Sequence, residues 1–224
     1  MEILFIDENV LVVNKPAGLA VLPDGWDPAT PFLTHILEQE HGRVWTVHRI
    51  DKVTSGVLVF ARNPETHRDL SLQFERHEVV KLYHAVAIGV PAWEDRVAAH
   101  PLRSGVGHRH RTIVDTEYGK SAKTHFHVMR RGANHALLQA EPTTGRTHQI
   151  RAHAYALGFP LLGDPLYGAG PSPLIDRPAL HACSLRFRYA AGKSIEPLAA
   201  GAELVTFEAP YPADFLAVLD QLFA

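Results

Sequence analysis

The stretch "HRIDKVTSGVLVFAR", residues 48–62, places an aspartate directly ahead of an apolar run. The run over residues 57–61 is continuous, which is typical of a strand buried on both faces. Asp51 precedes it, between Arg49 and Lys52. Short polar side chains often bond the backbone of a turn, so Asp51 either shapes the loop or carries chemistry. The stretch alone favours the structural role, and the rest of the chain must decide.

The chain as a whole has the size and composition of one catalytic domain. Its 224 residues are 46% hydrophobic, enough for a substantial core, and we expect a single domain over residues 1–224. A single cysteine, Cys183, excludes an internal disulfide framework. The N-terminus is acidic where a signal peptide is basic, and no apolar run is long enough to span a bilayer. We therefore expect a soluble protein of the reducing cytoplasm.

Cap and turn signals divide the chain into the helices and strands of an α+β fold. Thr30-Pro31 and Asn63-Pro64 are helix-start signals, and Gly42 and Gly158 are stop signals. We predict helices over 31–41, 64–76, 146–157 and 212–223. We predict strands over 3–6, 10–14, 56–61, 79–89, 121–129, 135–141, 180–189 and 203–208. Because these elements do not alternate as βαβ units, the sheet should be mostly antiparallel, with flanking helices and loops.

Positive charge is concentrated between residues 96 and 131. This segment has eight Lys or Arg against two acids, a net +6, which leaves −8 for the rest of a chain whose total is −2. Such asymmetry indicates a basic surface suited to a phosphate-rich partner, although a solvated loop with chance charges has the same composition. We expect a loop-rich basic excursion over residues 92–120, with Arg109 and Arg111 as contacts to that partner.

The predicted helix over 146–157 has two distinct faces at about 100° per residue. The apolar face has Ile150, Ala154 and Leu157, and the polar face has His148, Arg151 and Tyr155. Its first turn offers free N–H groups beside Arg146, and Gly145 lets the backbone turn tightly. These features favour binding of an anion such as a phosphate, unless the cationic face only meets solvent.

Several separated segments together resemble the RluA-type RNA pseudouridine synthases. The stretch at 48–62 is similar to their catalytic motif, His-Arg-Leu-Asp-x-x-Thr-Ser-Gly-Leu-Leu, with Ile50 in place of the common Leu. The other similar segments are "VVNKPAGLAV" near the start, "VVKLYHAVAIG" at 79–89, "GKSAKTHF" at 119–126, "GRTHQIRAHAYALGFPLLGDPLYG" at 145–168 and "LHACSLRF" at 180–187. Long motifs in the same order are far more specific than one short pattern.

This resemblance spans nearly the whole chain and implies the catalytic-domain fold of that family. The sequence starts directly with this domain, so we expect no separate N-terminal RNA-binding module of the kind that many relatives carry. The substrate contacts would then come from the catalytic domain alone. The implied partner is structured RNA, ribosomal or transfer, and we expect no DNA partner, no membrane partner and a monomeric protein.

The resemblance also implies the reaction, which needs neither a metal nor a cofactor. These enzymes detach a uracil from its ribose, rotate it and rejoin it through a ring carbon. Their catalytic aspartate corresponds to Asp51, which either attacks the sugar or abstracts a proton to form a glycal. Arg151 matches the cation that keeps this carboxylate charged, and the planar fork of an arginine can clamp a carboxylate in one orientation. The alternative is that Arg151 only binds phosphate.

Other site residues follow from the same resemblance. Tyr83 matches an aromatic residue that lies against the extracted uracil, where stacking typically returns about 1–3 kcal/mol per base; the alternative is an ordinary core tyrosine. Arg49 matches a side chain that enters the space left by the flipped base. His48 is expected to orient the loop beside Asp51. The full set of expected substrate-binding residues is Arg49, His48, Arg146, His148, Gln149, Arg109 and Arg111.

Two functions of other classes remain open at this point. An RNA-binding or chaperone protein would keep the fold without the chemistry. A metal-dependent phosphodiesterase would use Asp51 together with some of the fifteen histidines, such as the pair His125 and His127. No acidic or cysteine ligands accompany that pair at matching spacing, so we expect no metal site.

Overall fold

The computed structural model describes residues 1–23, 30–107, 110–189 and 203–224. Its helices are α1 (Leu33–His41), α2 (Pro64–Glu75), α3 (Gln149–Ala156) and α4 (Ala213–Phe223). Its strands are β1 (Glu2–Ile6), β2 (Val10–Lys15), β3 (Trp45–Thr46), β4 (Ser55–Ala61), β5 (Val80–Ile88), β6 (Asp95–Ala98), β7 (Leu102–Val106), β8 (Arg111–Val114), β9 (Thr124–Arg131), β10 (His135–Pro142), β11 (Leu180–Tyr189) and β12 (Glu203–Glu208). The predicted class, a mostly antiparallel sheet with flanking helices, is confirmed.

The chain forms two compact units. Unit 1 comprises Met1–Val80 and Ala182–Pro210, and unit 2 comprises Lys81–His181 and Tyr211–Ala224. No helix in the described residues combines the length and the apolar character that crossing a membrane requires.

Unit 1 is built around β4, the apolar run of the quoted stretch. Strand β2 pairs with it antiparallel, with Val12 opposite Val59, and both strands are buried over most of their length. Strand β1 pairs with the other edge of β2. The turn that joins these two strands is closed by Asp7, whose side chain accepts the N–H groups of Asn9 and Val10. Burial on both faces explains why β4 has no alternating polar positions.

Unit 2 has an antiparallel sheet in the order β5-β10-β9-β6, with a helix on each face. Side chains of a strand alternate between faces, and the packing follows that period of two. Ala85 and Ala87 pack with Ile150 and Ala154 of α3, whereas Val86 packs with the residues of α4. The apolar face predicted for the helix at 146–157 is therefore confirmed.

The helices begin where local signals allow. Asn63 caps α2 by accepting the N–H of Thr66 at 2.8 Å, with Pro64 in the first turn, as predicted. Helix α1 begins at Leu33, two residues later than the Thr30-Pro31 signal predicts, because Phe32 is extended and pairs with Ala20 in a β-bridge. The excursion at 92–120 contains three short strands, β6, β7 and β8, in addition to its loops.

Candidate active site

The loop that carries Asp51 lies in unit 1 between β3 and β4, and residues 48–55 are called the Asp51 loop below. The carbonyl of Asp51 accepts the N–H of Thr54 at 3.0 Å, which closes a tight turn through the main chain. Ile50 is buried beneath the loop, whereas Arg49 is exposed and Asp51 is half-buried. The loop therefore has an apolar anchor on one side of the carboxylate and a cation reaching into solvent on the other.

A buried lysine ties the Asp51 loop to the "NKPAG" segment. Lys15 has no exposed surface, and its Nζ donates to the carbonyls of Pro16 and Leu19, each at 2.8 Å, and of Lys52 at 3.2 Å. The carbonyl of Lys52 also accepts the N–H of Gly18 at 2.8 Å. Lysines are rarely fully buried, and an ammonium has three donors to satisfy. Lys15 therefore sets the position of the residue that follows Asp51.

Sequence reasoning assigned no role to Lys15. The available signal was a lysine at the end of an otherwise apolar strand, directly before a proline. A charge at such a place needs a fixed set of acceptors, and carbonyls that the following turn leaves unpaired can provide them.

His48 and Gly56 fix the two ends of the Asp51 loop. The Nε2 of His48 accepts the N–H of Val59 at 3.1 Å, and its ring stacks on Phe74 at 4.5 Å between centroids. Gly56 has a φ of +123°, and a Cβ there would lie 2.1 Å from the carbonyl oxygen of Ala182. Only glycine tolerates both the conformation and the contact. These placements agree with a loop-orienting role for His48.

A second group of predicted residues lies in unit 2, at the start of α3. His148, which precedes the helix, has a left-handed backbone with a φ of 53°. This residue, and not Gly145, makes the sharp turn, so α3 begins at Gln149, three residues later than predicted. Arg146 is exposed, and its Nε donates to the carbonyl of Ser121 at 3.1 Å.

Gln149 is buried, and both ends of its amide have protein partners. Its Oε1 accepts the hydroxyl of Thr144 at 2.6 Å and the N–H of Arg146 at 3.0 Å. Its Nε2 donates to the carbonyl of Lys123 at 2.9 Å and to the hydroxyl of Thr124 at 3.0 Å. The side chain thus supports the loop around Arg146, and its contact with a substrate stays a prediction.

Arg151 forms a buried, two-pronged ion pair with Asp164. Nε and Nη2 donate to the two carboxylate oxygens at 2.7 and 2.9 Å, and the side chains of both residues are almost completely buried. The guanidinium also lies over the ring of Tyr167, 5.2 Å from its centroid. A fork held in this way has one fixed direction. Arg151, Asp164 and Tyr167 are called the α3 network below.

Tyr167 connects this network to the basic excursion. Its hydroxyl accepts the N–H of Thr112 at 3.0 Å and donates to the carbonyl of the same residue at 2.9 Å. Burial raises the pKa of Tyr167 to about 12, so its hydroxyl stays neutral. The guanidinium of Arg111 lies 5.8 Å from the ring of Tyr155 and 6.0 Å from that of Tyr167. Arg111 therefore lies beside the α3 network, and its contact with a phosphate stays a prediction.

Sequence reasoning missed Asp164 and Tyr167. Both lie in the quoted segment "GDPLYG", and the signal was an acidic residue buried in an otherwise apolar loop. Nothing local to that segment shows that its partners are Arg151 and Thr112.

Tyr83 lies on β5, on the sheet face that packs against α3. Its neighbour His84 points to the opposite face, where its Nδ1 lies 2.5 Å from the hydroxyl of Tyr211. Tyr83 is only partly buried, so part of its ring is accessible. Lys81 lies two residues before Tyr83, so its side chain is on the same face of the strand. Burial lowers the pKa of Lys81.

The predicted site residues thus fall into two sets. Asp51, His48 and Arg49 belong to unit 1, and the set of unit 2 is Tyr83, Arg111, Arg146, His148, Gln149 and Arg151. Arg109 lies outside the described residues. Within the described ranges, no three His, Cys, Asp or Glu side chains are grouped so that they could hold a metal ion.

Comparisons with known proteins identify the family to which the chain is similar. The family described as "RNA pseudouridylate synthase" matches residues 9–156. A "Ribosomal large subunit pseudouridine synthase D" of Zymomonas mobilis is 36% identical over 96% of this chain and 70% of its own length. An uncharacterized RNA pseudouridine synthase of Bacillus subtilis is 37% identical over 96% of this chain and 70% of its own length. The structure of human RNA Pseudouridylate Synthase Domain Containing 4 is similar with a TM-score of 0.76 and 26% identity, over 99% of this chain and 92% of that one.

Proposed function

Because this chain belongs to the RluA-type RNA pseudouridine synthases, which are isomerases of uridines in RNA, we propose that Asp51 is the residue that carries out the isomerisation. The observation that carries this assignment is the turn at Asp51, closed through its own carbonyl and tied down by Lys15. A carboxylate on a loop fixed in this way is pre-positioned for one reacting atom.

The reaction breaks the bond between N1 of uracil and C1′ of the ribose and forms a bond between C5 and C1′. The hydrogen on C5 is lost to solvent, and N1 gains one. Asp51 acts either by attack on C1′ or by abstraction of a sugar proton that leaves a glycal. Both routes start from an ionised carboxylate.

Arg151 is proposed as the cation that keeps Asp51 ionised and oriented. Its guanidinium is permanently charged and is aimed by its two bonds to Asp164. Tyr83 is proposed as the platform for the flipped uracil, because it is a partly accessible ring on the face of the sheet that carries α3. The exposed Arg49 is proposed to fill the space that the uracil leaves.

The proposed substrate is the RNA of the large ribosomal subunit. The support is that several of the similar proteins carry the name of a ribosomal large subunit pseudouridine synthase, among them those of Zymomonas mobilis and Pseudomonas aeruginosa. Transfer RNA is the alternative substrate.

A substrate panel tests this proposal. Large-subunit ribosomal RNA, small-subunit ribosomal RNA and total transfer RNA are prepared with tritium on C5 of uracil, from a strain that lacks the gene. Release of tritium is expected from large-subunit RNA alone, at a number of sites that pseudouridine mapping then identifies. Release only from transfer RNA would overturn the ribosomal assignment, and release from none of the three would overturn the proposed function.

A further inference from the structure

A cleft of about 370 Å³ opens in unit 2 beside the start of α3, and it contains none of the residues proposed to act on the reacting uridine. Its lining residues come from β7, from the chain that follows β8 and from the loop before α3. They are Leu102, Arg103, Ser104, Tyr118, Lys120, Gly145, Arg146 and Thr147. The cleft therefore combines three cations, the hydroxyls of Ser104 and Thr147, and the phenol ring of Tyr118.

The charge of the cleft is suited to an anion. Arg103, Lys120 and Arg146 line it, and its described lining contains no carboxylate. Two acids lie in the turn that carries Tyr118: Asp115 pairs with Arg103 at 3.1 Å and also accepts main-chain N–H groups, and Glu117 is hydrogen-bonded to the side chain of Tyr118. One of the three cations is thus partly neutralised, and the other two remain to attract a phosphate.

Tyr118 is the unusual member of this set. Its side chain is 65% exposed, which makes it the most exposed of the large hydrophobic residues in the described chain. The guanidinium of Arg103 lies 5.7 Å from the centre of its ring. An aromatic ring beside cations in an open cleft is the combination with which proteins hold unpaired nucleotides, through base stacking and phosphate contacts.

The backbone beneath Tyr118 is rigidly organised. Asp115 accepts the N–H groups of Glu117 and Tyr118 at 3.0 and 2.8 Å, and its own carbonyl accepts the N–H of Gly119 at 3.0 Å. Lys120 and Leu102 exchange both of their main-chain hydrogen bonds at 2.9 Å. The backbone that carries Tyr118 is therefore held in a fixed turn, so this segment does not need to be ordered when a ligand arrives.

We propose that this cleft binds one unpaired nucleotide of the RNA substrate other than the uridine that is isomerised. Its base stacks on Tyr118, and its phosphate is held by Arg103, Lys120 and Arg146. This inference rests on the proposed function, because it takes the ligand to be the same RNA. It assigns the basic excursion a specific contact in addition to its general positive charge.

The test compares Tyr118→Ala with Tyr118→Phe, which keeps the ring. With the full-length protein and large-subunit RNA, Tyr118→Ala should raise KM about tenfold, because one base of the RNA loses its stacking partner. The value of kcat should stay within twofold, because that base lies outside the reacting centre. Tyr118→Phe should match the wild-type protein. The melting temperature of both variants should be unchanged, since the side chain is largely exposed. A wild-type KM for Tyr118→Ala would overturn the proposal.

A second measurement separates this proposal from the proposed function. Binding of a short oligoadenylate, which contains no uridine to isomerise, is followed by fluorescence anisotropy. Weaker binding by Tyr118→Ala than by Tyr118→Phe supports the cleft even if the wild-type protein releases no tritium from any RNA. Equal binding by the two variants, with a wild-type protein that is active, would contradict the cleft alone.

Discussion

The Asp51 loop and the α3 network hold their functional side chains by different means. At the Asp51 loop, the buried ammonium of Lys15 donates to main-chain carbonyls that are at most 37 positions away. In the α3 network, the charged side chains of Arg151 and Asp164 bind each other, and the buried hydroxyl of Tyr167 binds the main chain of Thr112, 55 positions away. A loop held by its backbone keeps its shape when surface side chains change. A network of buried side chains fails when one partner is removed.

The largest effect on stability is expected from Asp164→Asn. The substitution leaves the guanidinium of Arg151 buried without its counter-charge, and breaking such a pair from one side typically costs about 3–5 kcal/mol. Urea denaturation gives the free energy of unfolding.

Asp214→Asn is the matched control for Asp164→Asn. Asp214 forms the same two-pronged pair with Arg177 but is 39% exposed, so water can replace part of what is lost. Equal losses of stability in the two variants would show that burial does not distinguish the two pairs.

Lys15→Met tests the main-chain tether, with a somewhat smaller expected loss. Three carbonyls lose their donor while the apolar stem of the side chain is kept, and we expect a cost of about 2–3 kcal/mol. Turnover should fall more than RNA affinity, because the residue sets the position of the Asp51 loop. The control is Lys52→Ala, which keeps the carbonyl that Lys15 binds and should leave the urea midpoint unchanged. If both variants unfold at the wild-type midpoint, the tether has no energetic role.

Tyr167→Phe removes one hydroxyl from the α3 network and should cost about 1–2 kcal/mol, because the N–H and the carbonyl of Thr112 both lose their buried partner. Thermal unfolding measures the loss, and Tyr155→Phe, on an exposed ring, serves as its control. No difference between the two variants would mean that solvent replaces the lost hydroxyl.

The smallest effect is a pH dependence at Asp214. Partial burial raises the pKa of this carboxyl, but the hydrogen bond and the charge of Arg177 outweigh it, and the pKa lies below its ordinary value of 3.8. A carboxyl whose pKa is lower in the folded than in the unfolded state stabilises the fold at pH values above its unfolded-state pKa. This stabilisation is lost as the pH falls through the folded-state pKa. Below about pH 4 the wild-type protein should therefore lose stability more steeply than Asp214→Asn, as urea midpoints between pH 5 and pH 3 would show. If the urea midpoints of the wild-type protein and of Asp214→Asn fall in parallel as the pH is lowered, the Asp214 carboxylate makes no such contribution to stability.

The elements that sequence reasoning predicted are those with local signals. Strand β4 is a continuous apolar run, and α2 begins at an Asn-Pro pair that caps it. The start of α3 was predicted three residues early, because the left-handed conformation of His148 has no signature in its side chain. The strands of the basic excursion were not predicted because they are short and carry charges instead of an alternating apolar pattern.

The same limit applies to the candidate site. Asp51 and Arg151 were predicted from the family resemblance, which depends on residues next to each other in the chain. Asp164, Tyr167 and Lys15 each have a partner in another segment of the chain, Arg151, Thr112 and Lys52 respectively, and such contacts require the fold. A buried charge in an apolar segment was the one available hint for Lys15 and Asp164.

The role of Asp51 is tested most directly by Asp51→Asn, a substitution that keeps the size of the side chain and removes its charge. Single-turnover release of tritium from C5-labelled RNA is measured together with RNA affinity. Release should disappear, while RNA affinity should stay within threefold of that of the wild-type protein. Release by Asp51→Asn at the wild-type rate would contradict this role.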